Sequence, residues 1–306
     1  MNSEASSIHV SVLLDETVSA IEPRSGGFYI DATCGLGGHT EALLEACSPD
    51  GRVLSVDRDP RALEFASKRL ERFGSRCQLL QANFSELSGI SSQSADGLIA
   101  DLGVSSLQLD DPGRGFSFRA DVPLDMRMGN TGKTALNLLE EVDESELTQI
   151  LKDYGELQRP RKVARAILRA RQENKLSSTK DLVEAVEAVM PKKPGLHPAT
   201  LVFQAIRIAV NRELDELDNL LEQLPDLIVE GGKVAIISFH SLEDRKVKQF
   251  FRGPPISPEL RNLPIAPSKN PFNPLVRRPI TPSEDEVTNN PRSRSAKLRI
   301  AQRRID

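Results

Sequence analysis

From Asp31 to His39 the chain reads Asp-Ala-Thr-Cys-Gly-Leu-Gly-Gly-His, set between an apolar run and a stretch of helical spacing. Glycines at such a junction let the main chain approach a ligand closely and adopt positive φ. The dinucleotide fingerprint GxGxxG asks for glycine at position 40, where Thr40 stands. Asp57 follows Gly37 by 20 residues and ends the next apolar run, the place where a carboxylate accepts hydrogen bonds from both hydroxyls of a ribose. Asp31 suits a ligand with an amino group and repels phosphate. These features favour S-adenosylmethionine over NAD. The plainer alternative is tight-turn chemistry with no ligand, and a nicotinamide oxidoreductase is the rival that uses the same turn and Asp57.

Two further positions fall where open α/β sheets gather ligands, at the carboxyl ends of strands. Phe84 follows the third apolar run, where an adenine would lie, although a core phenylalanine is the commoner fate of an aromatic. Asp101-Leu102-Gly103-Val104 leaves the fourth run. A sulfonium methyl is a strong electrophile, so an enzyme using one mainly aligns the nucleophile. For an exocyclic amine, a carboxylate or carbonyl that accepts its hydrogens localises the lone pair and offsets the developing charge. Asp101 and the Leu102 carbonyl fit that task. No cysteine follows this run, which disfavours covalent attack on a pyrimidine ring.

The elements that must position these residues are legible as apolar runs at Gly27–Ala32, Arg52–Val56, Cys77–Gln81 and Gly97–Leu102, with helical patterns between them. Asp59 followed by Pro60 is a helix start. Alternation of this kind predicts a parallel sheet covered by helices. From Ala135 to about Leu221 the pattern is helical, and strand character returns at Lys233–Ser238, so the helical stretch reads as an insertion. The expected division is a methyltransferase-like domain over 1–112 and 215–306, with an inserted helical domain over 113–214 that recognises substrate. Residues 254–291 hold ten of the 20 prolines and read as a long loop, before a closing strand at Ala296–Ala301.

Composition sets the outer limits. The net charge of −4 excludes a uniformly basic nucleic-acid coat, and 4% aromatics without Trp disfavour a binder of unstructured single strands. Three unpaired-looking cysteines, no apolar run of membrane length and no basic leader at the start predict a soluble, cytoplasmic protein.

Taken in order, His9-Val-Ser-Val-Leu-Leu-Asp-Glu16, DATCGLGGHT, VDRDP (56–60), DLGVSSLQLDD (101–111), RGFSFR (114–119), PLDMRM (123–128), HPAT (197–200), FQAIRIAVNREL (203–214), ISFHSLEDR (237–245) and NPRSRSAKLRIA (290–301) carry a family likeness. The chain closely resembles the bacterial small-subunit (16S) ribosomal RNA cytosine-N4 methyltransferases, the MraW-like enzymes. That resemblance implies a class I, Rossmann-like α/β methyltransferase sheet with an inserted all-helical domain. It implies methylation of the N4 amine of a decoding-region cytosine, with 16S rRNA in the small subunit or a late assembly intermediate as partner. It also implies that Gly37, Gly38, His39, Asp57, Phe84, Asp101 and Gln108 contact S-adenosylmethionine, with Asp101 also serving catalysis. The chain has DLGV where DNA amino methyltransferases carry (D/N/S)PP(Y/F). A non-catalytic ribosome-assembly factor with the same fold is a further alternative.

Leu157–Lys175 carries seven basic residues against one acid, with Arg161, Arg165 and Arg169 on one helix face. Residues 292–304 carry six basic side chains and no acid. Both are candidate RNA footprints, against a solvated helix face and a protected sheet edge as the plainer readings. The four histidines lie far apart, and nothing in their spacing calls for a metal.

Overall fold

The computed structural model describes residues 11–190, 197–253 and 270–305. The chain divides into two compact units, Met1–Gly103 with Asp215–Asp306, and Val104–Leu214.

The first unit is built on a seven-stranded sheet: β1 (Phe28–Asp31), β2 (Arg52–Asp57), β3 (Cys77–Gln81), β4 (Ala95–Asp101), β5 (Ile228–Ser238), β6 (Phe272–Pro274) and β7 (Lys297–Arg303). The order is β3-β2-β1-β4-β5-β7-β6. The first five strands are parallel, and β7 runs antiparallel between β5 and β6. This is the Rossmann-like α/β sheet the sequence leads one to expect. The strands read as apolar runs because both faces are covered, and side chains alternate between the faces with period two. Ile30, Leu54, Leu98, Ala100, Val234 and Ile236 face one core with Leu217–Leu227 of the helix Glu213–Leu227. Tyr29, Val53, Ile99, Ala235 and Ile237 face the other, against Leu43 and Leu44 of Gly38–Ala46 and Ala66 and Leu70 of Pro60–Leu70. Sheet order puts the carboxyl ends of β1, β2 and β4 side by side, with the reversal of strand order at β1/β4, which is where ligands bind in such sheets.

The proline-rich stretch is not a plain loop. Residues 254–269 lie outside the described residues, but β6, the helix Glu284–Asn289 and a 3-10 turn at Pro291–Ser295 follow. Pro274 is accommodated because β6 is the edge of the sheet.

The second unit is helical, with Ala135–Glu141, Glu144–Asp153, Pro160–Gln172, Thr179–Glu187 and Ala199–Asn211 around one core. Thr134, Asp143 and Ser178 each cap a helix and receive the reciprocal bond of a capping box. Among the described residues no helix is long and apolar enough to cross a membrane.

Candidate active site

The turn after β1 is held by a network of its own. Asp31 is fully buried: Oδ1 accepts the Thr33 N–H at 3.1 Å and Oδ2 accepts the Thr40 hydroxyl at 2.6 Å. Thr40 Oγ1 also lies 2.8 Å from Ser55 Oγ on β2. The residue that breaks the dinucleotide fingerprint therefore supplies the hydroxyl that Asp31 needs. Both Asp31 oxygens are thus engaged within the turn, one by the Thr33 amide and one by the Thr40 hydroxyl.

Gly35 and Gly37 have φ of +52° and +81°, values that disfavour side chains. A Cβ on Gly35 would meet nothing closer than the Thr33 carbonyl at 3.9 Å, so this glycine leaves open space beside the main chain. The Gly37 N–H closes the turn on the Cys34 carbonyl at 2.8 Å, and Gly37 is the N-cap of the helix Gly38–Ala46. The first amides of a helix have no acceptor within it, and they carry the positive end of its dipole. His39, in that first turn, is buried. Its Nε2 lies 3.2 Å from the Val12 carbonyl and its Nδ1 lies 3.9 Å from Asp101 Oδ2.

Asp57 stands at the tip of β2. Its Oδ2 accepts the Gly35 N–H at 2.8 Å and its Oδ1 the Asp59 N–H at 2.9 Å. Two amides thus fix the carboxylate, and each oxygen keeps a further lone pair. Phe84 opens the 3-10 turn Phe84–Glu86 beyond β3, half-buried against the sheet's core, with Asn83 as its cap. Asp101 ends β4. Its N–H donates to Thr33 Oγ1 at 2.6 Å, and its Oδ1 is buried with no hydrogen-bond partner.

The electrostatics of this cluster have one sign. Burial pushes Asp31 up to about 6, with Asp57 adding to the shift. Burial also raises Asp57 against the pull of the Asp59 and Gly35 amides, and Arg58 opposes that rise less than burial drives it. Asp101 is pushed well above the carboxylate range, first by burial, then by Asp31 and by Glu243 of the helix Ser241–Arg252. Among the described residues no Lys or Arg pairs with any of the three aspartates. A site of acids crowded together without a cation suits a positively charged ligand and repels a pyrophosphate.

The sequence model of the MraW methylase family matches residues 6–304. The chain belongs to that family. It is 49% identical over 302 residues to "Ribosomal RNA small subunit methyltransferase H" of Sorangium cellulosum, covering 96% of this chain and 90% of that one. It is 46% identical over 307 residues to the protein of the same name from Magnetococcus marinus, covering 96% and 98%. A solved rRNA methylase from Streptococcus thermophilus aligns with 95% of this chain and 93% of its own at 12% identity and a TM-score of 0.42.

The PLDMRM segment (123–128) and Gln108 fall in the second unit. Gln108 is buried. Its Oε1 accepts the Ser105 N–H at 3.0 Å in a capping box, and its Nε2 donates to the Met128 carbonyl at 2.8 Å. Arg114 Nη1 donates to the carbonyls of Arg127, Met128 and Gly129 at 3.2, 3.3 and 3.1 Å. On Pro160–Gln172, Arg161 and Arg165 are exposed and both reach Glu144 Oε1, at 2.7 and 2.9 Å. Arg171 of the same helix caps the Leu139, Glu140 and Val142 carbonyls. In the first unit, Lys297 and Arg299 pair with Asp244, Arg303 donates to the Ile228 carbonyl and Arg304 to the Asn270 carbonyl. The strand Lys297–Arg303 lies between β5 and β6, so it is not the sheet edge that the plainer reading of this patch takes it to be. His240 caps Ser241–Arg252. His9 lies outside the described residues.

Sequence reasoning passed over Thr33, Ser55 and Glu243. Their types carry no signal of their own, and only the register of β1, β2, β4 and β5 brings them to the site.

Proposed function

We propose that the chain transfers a methyl group from S-adenosylmethionine to the N4 amine of a cytosine in the decoding region of 16S rRNA, within the small ribosomal subunit or a late assembly intermediate. The observation that carries the reading is the uncompensated acid cluster of Asp31, Asp57 and Asp101 at adjoining strand tips. S-adenosylmethionine is a net cation, whereas NAD brings a pyrophosphate. Membership of the MraW methylase family and the names of its relatives support rRNA as the substrate.

The residues present fit that donor. Gly35 leaves room beside the main chain, the start of Gly38–Ala46 offers amides, Asp57 accepts the ribose hydroxyls, and Phe84 borders the adenine. Bound S-adenosylmethionine supplies an electrophilic sulfonium methyl. Asp101 Oδ1 accepts an N–H of the cytosine amine, which localises the nitrogen lone pair for in-line attack. As the N–C bond forms, the C–S pair passes to sulfur, and the amine nitrogen loses one proton to Asp101 or to water. A nearby cation lowers a carboxyl's pKa, so the donor's positive charge readies Asp101 to accept. The target base must leave its stack to arrive there. The Arg161–Arg165–Arg169 face of Pro160–Gln172 takes RNA phosphates, consistent with a recognition role for the helical unit.

The test is methylation of assembled small subunits, naked 16S rRNA and DNA by the full chain, with mass mapping of the modified nucleoside. N4-methylcytidine at one decoding-region position is expected, on RNA alone. Modification of DNA, of a ring carbon, or of nothing at all overturns the reading. Calorimetric titration of Gln108→Ala with S-adenosylmethionine tests the family-implied contact of that residue.

A further inference from the structure

The first unit carries a second surface of unusual charge, away from the strand tips. Lys248 and Arg252 stand four residues apart on Ser241–Arg252, hence on one face. Arg252 Nη2 donates to the Arg277 carbonyl at 3.1 Å, which brings the segment 275–278 against the helix end. Between them runs a shallow cleft with Phe251, Val276 and Ile300 in its floor and Lys248 and Arg252 on its rim.

The surface holds four exposed cations, Lys248, Arg252, Arg277 and Arg278. Among the described residues none of the four pairs with a carboxylate. Other cations of the same unit are neutralised: Lys68 pairs with Glu64, Arg69 and Arg72 with Glu41, and Lys246 with Asp218. Arg299, in the cleft wall, is neutralised by Asp244 at 2.7 Å. A position at the end of a helix favours Arg252 through the helix dipole, but that accounts for one of the four. Leu275, beside the cations, is 42% exposed. Cations around apolar ground match a nucleotide, with its charged phosphate and less polar sugar and base. In a chain of net charge −4, a polyanion is held only where the local field is reversed.

We propose that Lys248, Arg252, Arg277 and Arg278 form a phosphate-binding surface for the RNA substrate. The inference rests on the reading of the chain as an RNA methyltransferase. The helix that bears the surface begins beyond the tip of β5, and Arg252 is its twelfth residue, about 16 Å farther along at 1.5 Å per residue. The surface therefore grips RNA at a distance from the reacting base: it sets affinity and leaves the chemical step alone.

The test uses the full-length chain with Lys248, Arg252, Arg277 and Arg278 all changed to Gln, and small ribosomal subunits as probe. Each lost phosphate contact lowers the slope of log affinity against log salt by about 0.7–0.9. The expected result is a slope smaller by about 3, a KM for subunits raised at least about tenfold at low salt, and an unchanged kcat and S-adenosylmethionine affinity. Arg277→Gln with Arg278→Gln leaves the helix untouched and should lower the slope by about 1.5, guarding against a folding effect. An unchanged slope and KM in both variants overturns the proposal. So does equal loss of binding to anionic lipid vesicles, which would make the surface a lipid site. A wild-type chain that methylates no RNA overturns the functional reading instead, and the two failures are distinct.

Discussion

The Thr33 hydroxyl accepts the main-chain N–H of Asp101 at 2.6 Å, tying the turn after β1 to the tip of β4. The two strand tips that the proposed reaction uses are thereby fixed to each other through one side chain. Thr33→Val keeps the shape and removes the acceptor, leaving a partly buried N–H unsatisfied at a cost of about 1–3 kcal/mol. The expected outcome is a lower melting temperature and a kcat reduced more than the affinity for S-adenosylmethionine, with Thr33→Ser restoring both. Wild-type turnover in Thr33→Val would show that the tie has no part in placing Asp101.

Asp101→Asn removes the acceptor charge without emptying the site. Losing one preorganised electrostatic partner of a transition state lowers kcat by about 10²–10³. Stability should hold or rise, since the wild-type carboxyl is pushed well above its ordinary range by burial and by Asp31 and Glu243. Single-turnover methylation with calorimetric titration of the donor separates the two effects. Normal affinity together with normal turnover, in this variant or in Asp101→Ala, would remove Asp101 from the mechanism.

The acid cluster gives the site a pH signature. A cation stabilises ionised carboxylates, so donor binding releases protons and strengthens as pH rises through about 6, where Asp31 titrates. The ligand-free protein behaves in the opposite sense. Asp31 holds its proton more tightly folded than unfolded, so stability falls as pH climbs from 3.8 to about 6. The shift corresponds to about 3 kcal/mol at 1.36 kcal/mol per pH unit. Relative to Asp31→Asn, wild type should therefore lose stability across that window on urea titration and regain it when the donor is added. An affinity flat from pH 5 to 7.5 would contradict the electrostatic account.

On Pro160–Gln172, Arg161 and Arg165 share one oxygen of Glu144, and each guanidinium has donors to spare. Arg165→Glu with Arg169→Glu should weaken rRNA binding about tenfold or more at low salt and leave donor titration unchanged. Unaltered RNA affinity rejects this face as a footprint.

The sheet was legible in the sequence where short apolar runs sit between helical patterns: the run at Arg52–Val56 matches β2, whose Val53–Val56 are buried, and Cys77–Gln81 matches β3, a half-exposed edge strand marked only by its Leu79–Leu80 pair between polar residues. β6 was hidden, since three residues ending in Pro274 carry no period and an edge strand tolerates proline. In the site, Gly37, Asp57 and Asp101 announce themselves by type at strand ends. Thr40 read only as a missing glycine, although its hydroxyl is what Asp31 needs. A hydrogen bond whose partner comes from another element leaves no local trace in the chain.

Asn211 shows the same blindness in the second unit and yields a test of stability. Nothing in FQAIRIAVNREL marks it, yet it is buried, and it knits PLDMRM to its helix. Its Oδ1 accepts the Met128 N–H at 2.8 Å, and its Nδ2 donates to the Met126 and Arg207 carbonyls at 2.7 and 2.9 Å. Met126 sits at a φ of +58°, a conformation that costs a non-glycine residue about 1–3 kcal/mol and persists only when its surroundings impose it. Asn211→Ala orphans the Met128 amide and removes the bonds to the Met126 and Arg207 carbonyls, so destabilisation of about 1–3 kcal/mol is expected. Hydrogen exchange is the fitting measurement, because the loss should appear first at residues 123–129 while the amides of β1 and β4 stay protected. Protection at 123–129 equal to wild type would show that the motif holds its shape without Asn211.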